Sequence, residues 1–217
     1  MVNLSQLNAE QYDAVTQVSG PLMIIAGAGT GKTRVITYRM THMLAQGIEG
    51  SRIVALTFTN KAAKEMKERL QELAGKKSKG IFIGTFHSYC LRILREFPDM
   101  IGLDPRFSLA GTSDQIDLIR KALEEKGWQG LYRPEEMLTR ISSAKNALLL
   151  PHEIAVSFED RDPAVLAVVY DLYERQLKLN RVIDFDDCIF KAALLLKNNP
   201  DVAVRLQGRW THFLVDE

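Results

Sequence analysis

Residues 26–34 read AGAGTGKTR, three glycines among nine positions, the last of them followed by a lysine, a threonine and an arginine. Glycine bends tightly and lets peptide N–H groups approach a partner closely, so the segment reads as a turn built around something small. Its flanks sharpen that reading. Leu22–Ala26 (LMIIA) is a short, non-alternating apolar run that ends at the glycines, the pattern of a strand buried on both faces. From Thr33 to Ala45 the apolar residues Ile36, Met40, Met43 and Leu44 recur at helical spacing, and Gly47 ends the pattern.

Strand, glycine turn, helix is the setting of the phosphate-binding pattern G-x-x-x-x-G-K-[ST]. Gly31, Lys32 and Thr33 fit it, with Ala26 in place of the leading glycine. The turn's N–H groups and the positive end of the following helix would surround a β-phosphate. Lys32 would neutralise β and γ oxygens, and Thr33 would offer its hydroxyl to Mg²⁺. On this reading Ala26, Gly27, Ala28, Gly29, Thr30 and Gly31 form the cradle.

The same grammar repeats downstream. Ile53–Phe58 (IVALTF) reads as a strand, and Ala62, Ala63, Met66, Leu70 and Leu73 mark one helix face closed by Gly75. Ile81–Ile83 is a third strand, leading through Gly84 into a helix bearing Tyr89, Cys90, Ile93, Leu94 and Phe97. Alternating strands and helices predict an α/β fold with a parallel sheet flanked by helices. After Pro98 the pattern turns helical: TSDQ (112–115) reads as a capping box, and Pro134 and Pro163 each open a helix. A helix around Ile189–Leu196 and a strand at Phe213–Val215 close the chain. The stretch 98–181 therefore reads as an inserted all-helical subdomain, and 1–97 with 182–217 as one α/β domain. The lysine run GKKSK (75–79) reads as a solvated turn.

Bulk composition is less informative. A net charge of +1 over 217 residues gives no global field for polyanions, so nucleic-acid contact requires a local patch. Cys90 and Cys188, the two cysteines, form no C-x-x-C pair and read as core residues of a protein in a reducing compartment. No run approaches the roughly 20 apolar residues that span a bilayer, and the start MVNLSQLNAEQ has no leader pattern. A cytoplasmic location and no membrane partner are expected.

Phosphoryl transfer to water needs a second acidic site to hold the metal and orient the nucleophile. Asp216 and Glu217 follow the last apolar strand and supply that pair, Asp216 for the metal and Glu217 as candidate general base.

Taken in order, these segments resemble superfamily 1 DNA helicases of the UvrD, Rep and PcrA type. LNAEQ (7–11) looks like the Q motif, AGAGTGKTR like motif I, ALTFTNKAAKEM (55–66) like motif Ia and GTFHSYC (84–90) like motif Ib. DFDD (184–187) resembles the segment preceding motif II, and LVDE (214–217) the start of motif II. The resemblance implies a RecA-like P-loop NTPase domain using ATP and Mg²⁺, with Gln11 bonding the adenine edge and Arg34 lying against base or ribose. Lys32, Thr33 and Asp216 would serve phosphates and metal. A carboxamide both donates and accepts, which suits adenine.

The resemblance also implies contact with single-stranded DNA and with junctions between single and double strands, through Phe58, Thr59, Asn60, Lys61, Phe86 and His87. Aromatic faces and a few cations grip single strands without regard to sequence. Taken singly, Phe58 also reads as a core residue, His87 as a structural histidine, and Lys61 and Lys64 as solvated helix residues. Relatives continue past the position of Glu217 into a second RecA-like domain whose arginines assist hydrolysis in the shared cleft. The expected activity is thus that of an ATP-dependent helicase translocating 3′ to 5′, with the 217-residue chain alone having little turnover. The helicase portion of a helicase-nuclease, or a nucleotide- or DNA-binding module without turnover, are the alternative readings.

Overall fold

A computed structural model of the chain describes residues 3–27 and 29–216. It divides into two compact units, residues 1–89 with 201–217, and residues 90–200.

The first unit is built on a three-stranded parallel sheet. β1 (Ile53–Thr57) lies in the centre, with β2 (Phe82–Thr85) on one side and β5 (His212–Asp216) on the other. β1 is buried along its whole length, as its unbroken apolar run requires. The register sets Thr57 opposite Thr85 on one side and opposite Asp216 on the other, so the carboxyl ends of all three strands lie level.

Helices α2 (Lys32–Ala45) and α3 (Asn60–Ala74) pack on this sheet, and α1 (Ala9–Thr16) packs on α2 through Ala14, Val15, Val35 and Tyr38. Ile36, Met40 and Met43 of α2 share a core with Ile53 and Ala55 of β1, Met66 and Leu70 of α3, and Leu214 of β5. Each of the larger of these, the Ile, Leu and Met side chains, contributes about 1.5–3 kcal/mol on burial. α4 (Phe86–Glu96) follows β2 directly. Near its start Tyr89 meets Phe82, Trp210 and Phe213 with ring centroids 5.5, 5.1 and 5.9 Å apart.

One strand expected from the sequence is absent. Residues 22–26 run outside any ladder, with Met23 and Ile25 78% and 90% exposed. Apolar composition qualifies a segment for a buried strand, but a strand also needs a neighbour for its N–H and C=O groups, and no described strand pairs with this one.

The second unit contains α5 (Thr112–Glu125), α6 (Pro134–Asn146), α7 (Ile154–Ser157), α8 (Pro163–Leu179) and α9 (Phe185–Asn198). Pro134 and Pro163 occupy first-turn positions, where the missing N–H costs nothing. The expected box at TSDQ shifts by one residue: Gly111 is the cap, and Asp114 accepts its N–H at 3.0 Å. The unit is not wholly helical. β3 (Ser108–Leu109) pairs in parallel with β4 (Val182–Ile183), two-residue strands too short to show a period in sequence. α10 (Pro200–Arg209) leads back into β5. Among the described residues no helix is long and apolar enough to cross a membrane.

Gly84, in β2, is fixed by space. A Cβ there would lie 2.5 Å from Ser88 Oγ and 3.1 Å from the Phe82 ring, within the aromatic packing around Tyr89. Gly84→Ala should therefore cost about 1–3 kcal/mol in urea unfolding, the range for overpacking. A cost within about 0.5 kcal/mol, typical of open surface positions, would contradict this packing.

Candidate nucleotide and nucleic-acid site

The level carboxyl ends of the strands, where ligands of open α/β sheets bind, carry most of the residues singled out from sequence. Gly29 and Gly31 adopt φ of +77° and +90°, the left-handed region that a side chain disfavours. Gly31 caps α2 without any side-chain hydrogen bond, so the first-turn N–H groups of that helix are not satisfied by a cap. Those donors and the helix dipole make the position receptive to an anion. Thr30 Oγ1 donates to Gly27 O at 2.7 Å and closes the turn.

Lys32 folds over the same turn, its Nζ donating to Ala26 O and Gly27 O, both at 3.0 Å. Thr33 Oγ1 donates to Asp216 Oδ2 at 2.9 Å, linking the first turn of α2 to the end of β5 across 183 positions of sequence. Asp216 is buried. A hydroxyl and a carboxylate side by side are a hard oxygen set of the kind Mg²⁺ takes. Ala28 and Glu217 lie outside the described residues.

The amino-terminal segment closes one side. Gln11 Nε2 donates to Thr30 O at 3.1 Å, while its Oε1 accepts the N–H of Asn8 at 3.3 Å in the capping box of α1. Arg34 donates to the backbone and side-chain oxygens of Gln6, each at 3.2 Å, and its guanidinium lies 5.3 Å from the Tyr38 ring centre. Tyr38 also donates to Gln6 Oε1 at 3.3 Å. Gln6 and Tyr38 thus hold Arg34, and neither was legible beforehand: Gln6 lies just outside LNAEQ, and Tyr38 reads as an ordinary helix residue.

Phe58 follows β1 and is 80% exposed; Phe86 follows β2 and is 38% exposed. Since Thr57 and Thr85 are partners in the ladder, the two rings sit on adjacent strand ends, and Phe58 is not a core residue. Thr59 caps α3, its Oγ1 accepting the Ala62 N–H at 3.1 Å. Asn60 and Lys61 are exposed in the first turn of α3, and among the described residues Lys61 has a 4.0 Å surface pair with Glu65, a contact worth little. His87 is half-buried in α4.

DFDD has a structural task. Asp184 caps α9 and Asp187 completes the box, Asp187 N donating to Asp184 Oδ1 at 2.8 Å. Both carboxylates converge on Lys145, whose buried Nζ lies 2.6 Å from Asp184 Oδ2, 2.8 Å from Asp187 Oδ1 and 2.6 Å from Glu174 Oε1. Lys191 pairs with Glu174 at 2.7 Å and Asp187 at 3.3 Å, and Tyr173 donates to Asp184 at 3.0 Å. Glu174, Asp184 and Asp187 are close enough to hold a metal ion, but the Lys145 ammonium already lies among them. Sequence offered no sign of Lys145, because nothing distinguishes it from a surface lysine until α6, α8 and α9 pack.

Three carboxylates facing two ammoniums leave one negative charge in surplus. It falls on Asp187, where burial, reinforced by Glu174 and Asp184, raises the carboxyl to about 6 against the pull of Lys191 and Lys145. For Glu174 burial acts upward too, but Lys191 and Lys145 outweigh it and bring it to about 2. Burial alone would lower Lys145; Asp187, Glu174 and Asp184 override it and hold the ammonium well above the usual range.

Comparison with known proteins gives the family. The family model "UvrD/REP helicase N-terminal domain" matches residues 7–217, and the chain belongs to that family. It is 39% identical over 216 residues to the ATP-dependent DNA helicase PcrA of Staphylococcus aureus strain Mu50, and 38% identical over 216 residues to that of Staphylococcus epidermidis strain RP62A. In both cases the match covers 99% of this chain and 30% of the relative, so the chain spans under a third of their length.

Two outcomes test the buried cluster. Lys145→Met leaves three carboxylates short of a cation and should cost about 3–5 kcal/mol in urea unfolding. Asp187, raised in the folded state, contributes stability that is complete below its ordinary value of 3.8 and is lost as pH rises through about 6. Glu174 has the opposite sign, its contribution present above 4.5 and lost as pH falls toward 2. Between pH 5 and 7 the Asp187 effect dominates. Thermal melts of Asp187→Asn should therefore show a smaller loss of Tm from pH 5 to pH 7 than the parent, and an unchanged loss would remove Asp187 as its source.

Proposed function

We propose that this chain is the ATP-binding part of an ATP-dependent DNA helicase, a RecA-like P-loop NTPase domain that couples hydrolysis to movement along single-stranded DNA. The observation that carries the reading is the 2.9 Å bond between Thr33 and Asp216, on the sheet edge that also bears Phe58 and Phe86. Family membership and the naming of the relatives as ATP-dependent DNA helicases support it.

In this reading the N–H groups of the glycine turn and of α2 receive the β-phosphate, and Lys32 exchanges its two carbonyl partners for phosphate oxygens. Thr33 and Asp216 would hold Mg²⁺, which would supply positive charge toward the transferred phosphoryl group. Gln11 turns its carboxamide to the adenine, and Arg34 lies along base or ribose. Glu217 is assigned as the base that takes a proton from the attacking water. Phe58 and Phe86 stack bases, while Thr59, Asn60, Lys61 and His87 contact the backbone, a grip indifferent to sequence.

We assign residues 98–181 as the inserted helical subdomain, and the direction of travel as 3′ to 5′, in line with the family resemblance. Hydrolysis and unwinding at single/double-strand junctions further require a second RecA-like domain. Its arginines contribute about 10³- to 10⁵-fold to such reactions, so the 217-residue chain alone should bind ATP with little turnover.

The test is a pair of substitutions read by two ligands. In the 217-residue chain, Lys32→Ala should weaken binding of a fluorescent ATP analogue at least about tenfold, the loss of one charge-assisted contact. It should leave affinity for an oligothymidylate unchanged. Phe58→Ala should do the reverse, weakening oligothymidylate binding by about 5- to 150-fold, the equivalent of one stacked base. Equal nucleotide affinity with and without the lysine would remove the phosphate assignment, and robust DNA-stimulated ATPase by the unmodified chain would remove the need for a second domain.

A further inference from the structure

The lysine run GKKSK forms one wall of a groove that the nucleotide and DNA reading does not use. The groove measures about 620 Å³. Half-buried Ile81 and Ile83 form its apolar floor over the buried Leu70, and Lys67, Lys76 and Lys79 stand around it. Among the described residues, none that line it is acidic or aromatic, and these three lysines have no ion-pair partner.

The groove lies at the other end of the sheet from the phosphate site. Gly80 and Ile81 precede β2, and Lys76 and Ser78 follow α3, whose 15 residues extend about 22 Å from the turn bearing Asn60.

The wall is stiff rather than a loose solvated turn. Gly75–Ser78 is a 3₁₀ turn, and Ser78 Oγ donates to Gln71 Oε1 at 2.8 Å and to Gly75 O at 2.7 Å. Gly80 has φ +99°, and a Cβ at Gly50 would lie 2.7 Å from Lys79 O, so the segment after the turn is seated closely on Gly50 and Ser51. Three cations are thus held on a fixed frame around an aliphatic floor. Like charges gathered without carboxylates are a standing cost that an anionic partner relieves.

We propose that this groove docks an acidic peptide segment of a partner protein, with an aliphatic side chain on Ile81 and Ile83 and carboxylates facing Lys67, Lys76 and Lys79. Nucleic acid is the poorer fit, because single strands are gripped through aromatic stacking that this groove lacks and phosphates have no use for an aliphatic floor. The inference is independent of the nucleotide assignment, since no residue is shared.

The test is titration of the ¹⁵N-labelled 217-residue chain with three probes: the acetylated peptide EDLEIED, the same peptide with serine at its leucine and isoleucine, and a twelve-residue oligothymidylate. The first should shift the amides of Leu70, Ser78, Gly80 and Ile81 and saturate below about 1 mM. The serine peptide should bind at least about fivefold more weakly, the loss of one apolar anchor. Lys76→Glu with Lys79→Glu, both exposed and so compatible with the fold, should weaken the first peptide at least about tenfold. Indifference to the peptide's apolar residues or to the double substitution, shifts elsewhere, or stronger shifts of these same amides by the oligonucleotide would each overturn the proposal.

Discussion

The parallel ladder between β1 and β5 is the constraint on which the candidate site depends. It joins residues 53–57 to residues 212–216 and puts Asp216 level with Thr57 at the end of the sheet. Thr33 can then reach Asp216 because α2 is packed on the same sheet through Ile36, Met40 and Met43. Neither contact is local. Closing so long a stretch costs chain entropy that grows only slowly with length, so a compact second unit can stand between β2 and β5 without preventing their pairing to one strand.

Helix ends do much of the chemistry in both units, and in opposite ways. At Gly31 the first-turn donors of α2 are left without a side-chain cap, beside a lysine and a carboxylate that complement an anion and a metal. At Asp184 a carboxylate box takes up the Asp187 N–H and the cap's own N–H, and it is itself neutralised by buried Lys145. The same backbone physics yields a receptive end in one case and a sealed end in the other. DFDD, for all its acidity, is therefore part of the architecture of residues 90–200.

The lysines divide along similar lines. Lys32 is held by two carbonyls, Lys145 by three carboxylates, Lys61 and Lys64 by exposed helical pairs, and Lys67, Lys76 and Lys79 by none among the described residues. Identical side chains thus range from a buried structural cation to a set of exposed, unneutralised charges. Only the neighbours supplied by packing distinguish them.

What could be read from sequence follows from locality. The glycine turn, the helix behind it, β1, β2 and β5, and the helical character of 112–198 all announce themselves through apolar period, proline and glycine. These signals depend on residues a few positions apart. The ordered motifs by themselves mark Lys32, Thr33, Asp216, Phe58 and Phe86. Tertiary structure alone decided that Thr33 and Asp216 touch, that LMIIA has no ladder partner, and that Lys145 is the hub of an ion cluster. It also decided that Gln6 and Tyr38 hold Arg34. Each of these is a relation between segments distant in sequence, and a buried charge or an unpaired strand acquires its meaning only from the groups that folding brings, or fails to bring, within reach.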